Sequence, residues 1–208
     1  MTLRNRVDPF GRLHAVPARG QLMGNRGILH DEDKTIVRTH AHRNWVSCTL
    51  SCGDTRRRLM APRCYTELFF LDEATALAAG HRPCATCRRA QYRAFTAAWQ
   101  DVHGGAEEGR SLPQTIDKAL HRARIAHREK VTHEAQGEAL PDGTIFADGE
   151  GEAALVWKGR RFAWSFDGYG PGRPLPRGPV TVLTPEPLLA VLGHGYVPEL
   201  HDTLGDAG

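Results

Sequence analysis

The chain has 208 residues, of which 40% are hydrophobic and 25% charged, which is typical of a globular protein large enough to bury a core without disulfide bonds. It has no apolar run of the roughly 18 residues that a membrane-spanning helix needs, and its basic start lacks the apolar segment of a secretory signal. We therefore expect a cytoplasmic protein with no membrane role. The net charge of +3 does not by itself demand a polyanionic partner.

The first third of the chain predicts an arm followed by a small sheet. Residues 1–33 mix glycine, proline and arginine without a sustained period, which predicts an irregular basic arm. Short runs rich in β-forming residues follow at 35–37, 45–50 and 65–71. We expect these runs to form a small antiparallel sheet.

Two helices are predicted next. Asp72 is a suitable N-cap for a short helix over 73–79, and Gly80 stands where a left-handed C-terminal cap is expected. A longer helix is predicted from Cys84 to about Val102. Its apolar stripe consists of Tyr92, Phe95, Trp99 and Val102, and its opposite side presents Arg88, Arg89 and Arg93.

A third helix is predicted from Ser111, which could form a capping box with Gln114. Its buried stripe would contain Ile116, Leu120, Ala123 and His127, and its exposed row would contain Asp117, His121, Arg124 and Arg128. Strands are predicted beyond it at 144–147, 153–158, 161–166 and 180–183, and a last helix from Thr184 to about Leu192.

The predicted fold class is α+β, with a zinc-stabilised sheet and flanking helices followed by a β-rich C-terminal half. We place a zinc-binding domain at 34–104, after the arm of residues 1–33. A helix and a small β-rich domain occupy 110–208.

The strongest chemical signal is the sequence Cys84-Ala85-Thr86-Cys87. Two thiolates three positions apart on a tight turn can both reach one zinc ion at about 2.3 Å. Upstream, Cys48 and Cys52 are spaced C-x3-C, so the four cysteines form a plausible zinc site. A thioredoxin-like redox centre would need a βαβ context that this strand-rich region lacks. The fourth ligand is left open: Cys52 is favoured, and the alternatives are His30, His42, His81 and Cys64.

The stretch FFLDEATALAAGHRPCATC, at residues 69–87, resembles part of the Ada-type DNA methylphosphotriester repair domain. The preceding C-x3-C also has the spacing of that family, and the resemblance covers roughly residues 45–90. It implies that Cys48, Cys52, Cys84 and Cys87 bind zinc. It also implies that Cys48 accepts a methyl group from a DNA phosphotriester.

Arginines cluster on both sides of the cysteine motif and favour DNA as the partner, since basic residues beside a zinc module suit phosphate contacts. The candidate nucleic-acid-binding residues are Arg56, Arg57, Arg58, Arg88, Arg89 and Arg93. The leading hypothesis is therefore a zinc-containing, DNA-binding protein with a role in recognition or repair of alkylated DNA.

Two other functions remain open. A zinc-structured nuclease or other DNA-processing hydrolase would use the pair Asp117 and His121, four residues apart on the third helix. The histidines His121, His127 and His133 do not line one helical face, which weakens this hypothesis. The other alternative is a zinc-stabilised protein-interaction domain, which predicts no salt-sensitive affinity for nucleic acid.

Overall fold

The computed structural model describes residues 2–51 and 58–205. Within these ranges the fold is α+β with a β-rich C-terminal half, which confirms the predicted class. The helices are α1 (Glu73–Ala78), α2 (Arg89–His103), α3 (Leu112–Arg124) and α4 (Glu186–Gly193). None of these helices is long and apolar enough to span a lipid bilayer.

Six strands of the N-terminal half form one mixed sheet. They are β1 (Arg6–Val7), β2 (Leu13–His14), β3 (Leu22–Asn25), β4 (Val46–Thr49), β5 (Leu68–Phe70) and β6 (Arg82–Pro83). Their order is β2-β1-β5-β3-β4-β6. The pairs β1–β5 and β4–β6 are parallel, so the sheet is not purely antiparallel as expected.

The prediction of an irregular arm over residues 1–33 is wrong, because β1, β2 and β3 all lie within it. The first two strands are only two residues long, too short to produce a detectable alternation. Gly24 of β3 shows why this segment is glycine-rich. A Cβ atom there would lie 2.3 Å from the ring of Phe70 on the neighbouring strand.

The predicted strand at 35–37 is reduced to a single bridge between His30 and Ile36. The strand predicted at 65–71 is shorter, since only Leu68–Phe70 pairs within the sheet. The segment before it does not pair within the sheet. There the Thr66 hydroxyl oxygen accepts a hydrogen bond from the Leu29 amide.

The C-terminal half contains a hairpin and a second six-stranded sheet. The hairpin pairs β7 (Ile125–Ala126) with β8 (Glu129–Lys130). The sheet contains β9 (His133–Gln136), β10 (Ile145–Ala147), β11 (Ala153–Trp157), β12 (Arg160–Ser165), β13 (Gly168–Pro174) and β14 (Pro179–Val182). Its order is β13-β12-β11-β10-β14-β9, and every pair is antiparallel. The strands predicted from residue 144 onward are confirmed within one or two residues.

Helix α1 lies between the two sheets, and all six of its residues are buried. Ala76 packs with the core of the N-terminal sheet, and Ala74 and Ala78 pack with the core of the C-terminal sheet. The predicted caps are confirmed: Asp72 accepts a hydrogen bond from the Thr75 amide, and Gly80 has a positive φ of 85°. Small alanine side chains allow both sheets to approach one helix closely.

Helices α2, α3 and α4 share a further core. Phe95 and Trp99 of α2 pack with Ile116 and Leu120 of α3, and α4 adds Leu188. This core therefore crosses the boundary that we placed between residues 104 and 110. The predicted capping box of Ser111 and Gln114 is present at the start of α3.

Candidate metal centre and neighbouring cavities

The structure brings three cysteine sulfurs together. The Sγ atoms of Cys48, Cys84 and Cys87 all lie within 4.8 Å of one another, and each residue is half-buried. Such a cluster could hold a metal ion.

The edge of the N-terminal sheet positions these sulfurs. Cys48 lies on β4, which pairs in parallel with β6. The ladder continues one residue beyond β6, where the Cys84 amide donates to the Ser47 carbonyl at 2.9 Å. The chain then turns tightly, since the Thr86 amide donates to the Cys84 sulfur at 3.4 Å and the Arg88 amide to the Cys84 carbonyl at 3.1 Å. Helix α2 therefore begins at Arg89 and not at Cys84 as predicted.

The three thiols differ in acidity because they hydrogen-bond to one another. A hydrogen bond from Cys48 lowers the pKa of Cys84 to about 4, with further help from the Cys87 and Thr86 amides. The same hydrogen bond raises the pKa of Cys48, and burial raises the pKa of Cys87. Cys84 is thus the cysteine of the cluster whose pKa is lowered.

The geometry fits a tetrahedral thiolate site. Zinc–sulfur bonds of about 2.3 Å place neighbouring sulfurs about 3.8 Å apart, so three sulfurs within 4.8 Å need only a small contraction. Amide hydrogen bonds to a cysteine sulfur, such as that from Thr86, stabilise the thiolate that a metal requires.

The alternative fourth ligands lie elsewhere. Cys52 lies outside the described residues, so its role stays a prediction. Among the described residues, no histidine, carboxylate or further cysteine joins the three sulfurs. His30 is hydrogen-bonded to Thr66 at 2.6 Å, and His81 is buried between the rings of Trp45 and Phe70. Cys64 lies in a turn before β5 and is half-buried.

The candidate nucleic-acid-binding arginines fall into three groups. Arg58, Arg89 and Arg93 are exposed, whereas Arg56 and Arg57 lie outside the described residues. Arg88 was expected on the solvent side of α2, and that expectation is wrong. It is 2% exposed and donates to both carboxylate oxygens of buried Glu73, at 2.9 and 2.8 Å. Its guanidinium is therefore not available to a phosphate.

The exposed row predicted for α3 is also wrong in part. Asp117 is 7% exposed and forms a bidentate pair with Arg82, with both N–O distances 2.8 Å. Arg124 is 2% exposed, whereas His127, expected in the buried stripe, is exposed. The helix is rotated this way because Arg82 and Trp45 of the N-terminal half offer partners to its polar residues.

Asp117 and His121 do share a cavity, of about 690 Å³, lined also by His42, Arg43 and Lys118. Burial lowers the pKa of His121 to about 4, with help from the charges of Arg124, His40 and Arg43. The Asp117 carboxylate is held by Arg82, and no hydrogen bond joins it to His121 among the described residues, so a catalytic role for the pair stays a prediction. The arrangement is that of a basic surface cavity.

The meeting of two buried arginines and a half-buried lysine was not predicted from the sequence. The guanidinium carbons of Arg26 and Arg124 lie 4.2 and 4.0 Å from the ring centroid of Trp45, and the ammonium of Lys130 lies nearby. Arg26 is about 100 positions away from Arg124 and Lys130 in the chain, so no local pattern could have indicated that they meet.

Comparisons of the chain with family models, with curated proteins and with solved structures give no match.

Proposed function

We propose that this chain is a zinc-binding protein that associates with DNA. The observation that carries the proposal is the cluster of Cys48, Cys84 and Cys87 on one sheet edge. Zinc suits this donor set because it prefers thiolates in a tetrahedral arrangement. Cys52 is our candidate for the fourth ligand, since the alternatives among the described residues lie outside the cluster.

The zinc would act mainly as a structural element. It would tie β4 to the turn that starts α2, two segments joined otherwise by a few hydrogen bonds of the β4–β6 ladder. Structural zinc sites contribute folding free energy directly, on the order of 10 kcal/mol in small zinc modules.

DNA is the partner that the surface charge favours. Arg89 and Arg93 are exposed on the first turns of α2, directly after the cysteine turn. Arg58 adds a positive charge at the start of the segment that follows Cys52. Exposed arginines of this kind bind phosphates without sequence preference.

A role in recognition or repair of alkylated DNA rests on the resemblance to the Ada-type domain. In that reaction the Cys48 sulfur would form a bond to the methyl carbon of a phosphotriester, and the carbon–oxygen bond would break. The leaving group would be an ordinary phosphodiester anion. A metal-bound thiolate is a suitable nucleophile for this transfer.

Native mass spectrometry tests the metal and the chemistry together. We expect about one zinc per chain, and loss of most of the zinc when Cys48, Cys84 or Cys87 is replaced by serine. Cys52→Ala should reduce zinc content as strongly if Cys52 is the fourth ligand. Cys64→Ser is the matched control and should retain the metal, because its sulfur is not part of the cluster.

The same measurement after incubation with methylphosphotriester DNA should reveal a protein heavier by one methyl group. Wild-type protein that is metal-free and equally stable in the presence of a chelator would contradict the zinc proposal. Zinc-loaded protein that gains no methyl group would support the metal site and contradict the proposed repair reaction.

A further inference from the structure

A second cavity, of about 490 Å³, lies between residues of the N-terminal sheet, the end of α3 and the β7–β8 hairpin, and most of the charged side chains that line it are positive. Among the described residues, five cationic side chains and one carboxylate, that of Glu129, line it; the cations are Arg12, Arg26, Arg124, Arg128 and Lys130. Phe10 and Trp45 form its aromatic walls. The cavity is thus built for an anion and not for a cation.

Arg26 is the central residue of this cavity. It is 2% exposed, and its Nη1 donates to the Gly11 carbonyl at 3.1 Å while its Nε contacts the His81 ring nitrogen at 3.3 Å. Its Nη2 is buried and has no hydrogen-bond acceptor among the described residues. A buried guanidinium nitrogen without an acceptor is costly, so a ligand oxygen at this position would be strongly favoured.

Arg124 repeats the same pattern. It is 2% exposed, and its two terminal nitrogens donate to the carbonyls of Gly80 and Arg43. Its Nε is buried and lacks an acceptor within the described part of the chain. Both guanidinium groups contact the ring of Trp45, which holds them in place without neutralising them.

Nearby acids do not balance this charge. Lys130 donates to the Ala78 carbonyl at 2.6 Å and contacts no carboxylate within the described residues. Asp8 is engaged by the ring of His14 at 2.8 Å and by the Arg12 amide at 2.9 Å. Burial lowers the pKa of Arg26 and of Arg124 to about 9 and that of Lys130 to about 7. The charge of Arg26 lowers the pKa of Arg124 and Lys130 further, and Asp8 and Asp117 offset only part of these shifts.

We propose that this cavity binds a phosphate group, with the free nitrogens of Arg26 and Arg124 as donors and Lys130 as a further cation. Arginine forks match phosphate oxygens better than lysines do, and a dianion offsets more than one positive charge. The volume also admits the group that carries the phosphate. The ligand would therefore be inorganic phosphate, a small phosphate ester or the terminal phosphate of a DNA strand. This proposal depends neither on the metal site nor on DNA association.

Isothermal titration calorimetry tests the proposal on the full chain with inorganic phosphate at matched chloride ionic strength. We expect saturable binding, and an accompanying rise in the melting temperature, because a ligand that binds the native state stabilises it. Arg26→Gln should weaken binding roughly 10- to 100-fold, the usual cost of losing a hydrogen bond to a charged group.

Because Arg26 is buried, its variant could unfold, so two residues at the cavity mouth provide a second test. Arg12→Gln and Arg128→Gln change exposed side chains, and each should weaken phosphate binding several-fold while the melting temperature without ligand stays unchanged. Arg177→Gln, an exposed arginine that does not line the cavity, is the matched control and should bind as the wild type does.

Oligonucleotides with and without a 5′-phosphate identify the source of the group. Tighter binding of the phosphorylated strand than of inorganic phosphate, lost in Arg12→Gln, would indicate a DNA end. Equal binding of both strands with retained affinity for inorganic phosphate would indicate a small ligand. The proposal is overturned if phosphate does not bind at ~10 mM, where even a weak millimolar site would be occupied, or if its binding is the same in the Arg12, Arg128 and Arg177 variants.

Discussion

Arg88 forms a buried ionic network that joins three parts of the chain. It pairs with Glu73 at the start of α1 and, at 2.7 Å, with Glu199 near the C-terminus. Tyr196 donates a further hydrogen bond to Glu73 at 2.6 Å. The carboxylate interactions raise the pKa of Arg88, so the guanidinium stays charged although burial opposes it.

Replacing Arg88 by methionine should therefore destabilise the protein by about 3–5 kcal/mol, because the buried carboxylate of Glu73 loses its cation. Urea unfolding followed by circular dichroism measures this effect. Arg89→Met, one residue further along and exposed, should change the free energy of unfolding by less than about 0.5 kcal/mol. Equal effects of the two substitutions would show that Arg88 is not the buried partner of Glu73.

The lowered pKa of Lys130 predicts that the free energy of unfolding depends on pH. Burial beside Arg26 lowers its pKa to about 7, whereas an unfolded lysine titrates near 10.4. The unfolded chain therefore binds more protons between about pH 7 and pH 10, and stability should rise with pH across this window. The charged groups around it are Asp8, Arg12, Arg26, Arg124, Arg128 and Glu129.

Lys130→Met should raise the free energy of unfolding at pH 7 by on the order of 2 kcal/mol, and this gain should shrink toward pH 10. The same substitution should weaken phosphate binding, since a favourable charge is lost. Chemical denaturation at several pH values gives the comparison. A gain that is the same at pH 7 and pH 10 would show that Lys130 is not held as a destabilised cation.

Among the elements, helix α2 has a buried apolar side and an exposed basic side. Phe95 and Trp99 are buried in the core shared with α3 and α4, whereas Arg89 and Arg93 are exposed. Charge changes on the exposed side should therefore leave the fold intact.

If DNA is the partner, the double variant Arg89→Gln with Arg93→Gln should lower the slope of log affinity against log salt by about two units. Fluorescence anisotropy with a labelled duplex at several salt concentrations measures this slope. Zinc content and melting temperature should not change. The control variant Arg177→Gln should keep the full slope, and a double variant that also keeps it would exclude α2 from the interface.

At the scale of the whole molecule, α1 joins the core of the other three helices to the cores of the two sheets, since Leu77 packs with α2, α3 and α4. Ala74 and Ala78 contact the core of the C-terminal sheet, and Ala76 contacts that of the N-terminal sheet. Asp72 adds a polar link, since its carboxylate accepts a hydrogen bond from the Tyr169 hydroxyl at 2.7 Å. Each half therefore buries part of the apolar surface of the other.

We therefore expect a single cooperative unfolding transition in which tryptophan fluorescence and far-ultraviolet circular dichroism coincide. Removal of zinc by a chelator should shift this transition as a whole to a lower temperature. A chain that unfolds in two steps, with only one step sensitive to the chelator, would contradict the prediction and would restore two independent domains.

Local signals in the sequence were sufficient for many elements. The caps at Asp72 and Gly80, the box of Ser111 and Gln114, and the turn at Cys84 each depend on residues within four positions of one another. The alternation of the strands beyond residue 144 is equally local. For these features the backbone conformation follows from short-range hydrogen bonds and side-chain period, and the α+β class follows from them.

Burial and partnership were decided only by the tertiary structure. Arg88 and Asp117 resemble surface residues in the sequence. In the structure both are buried, where Arg88 pairs with Glu73 and Asp117 pairs with Arg82. Arg26, Trp45 and Arg124 meet across the N-terminal sheet and α3, and no spacing along the chain encodes that contact. The physical reason is that the free energy of a buried charge depends on partners brought together by packing, whereas sequence patterns report only near neighbours.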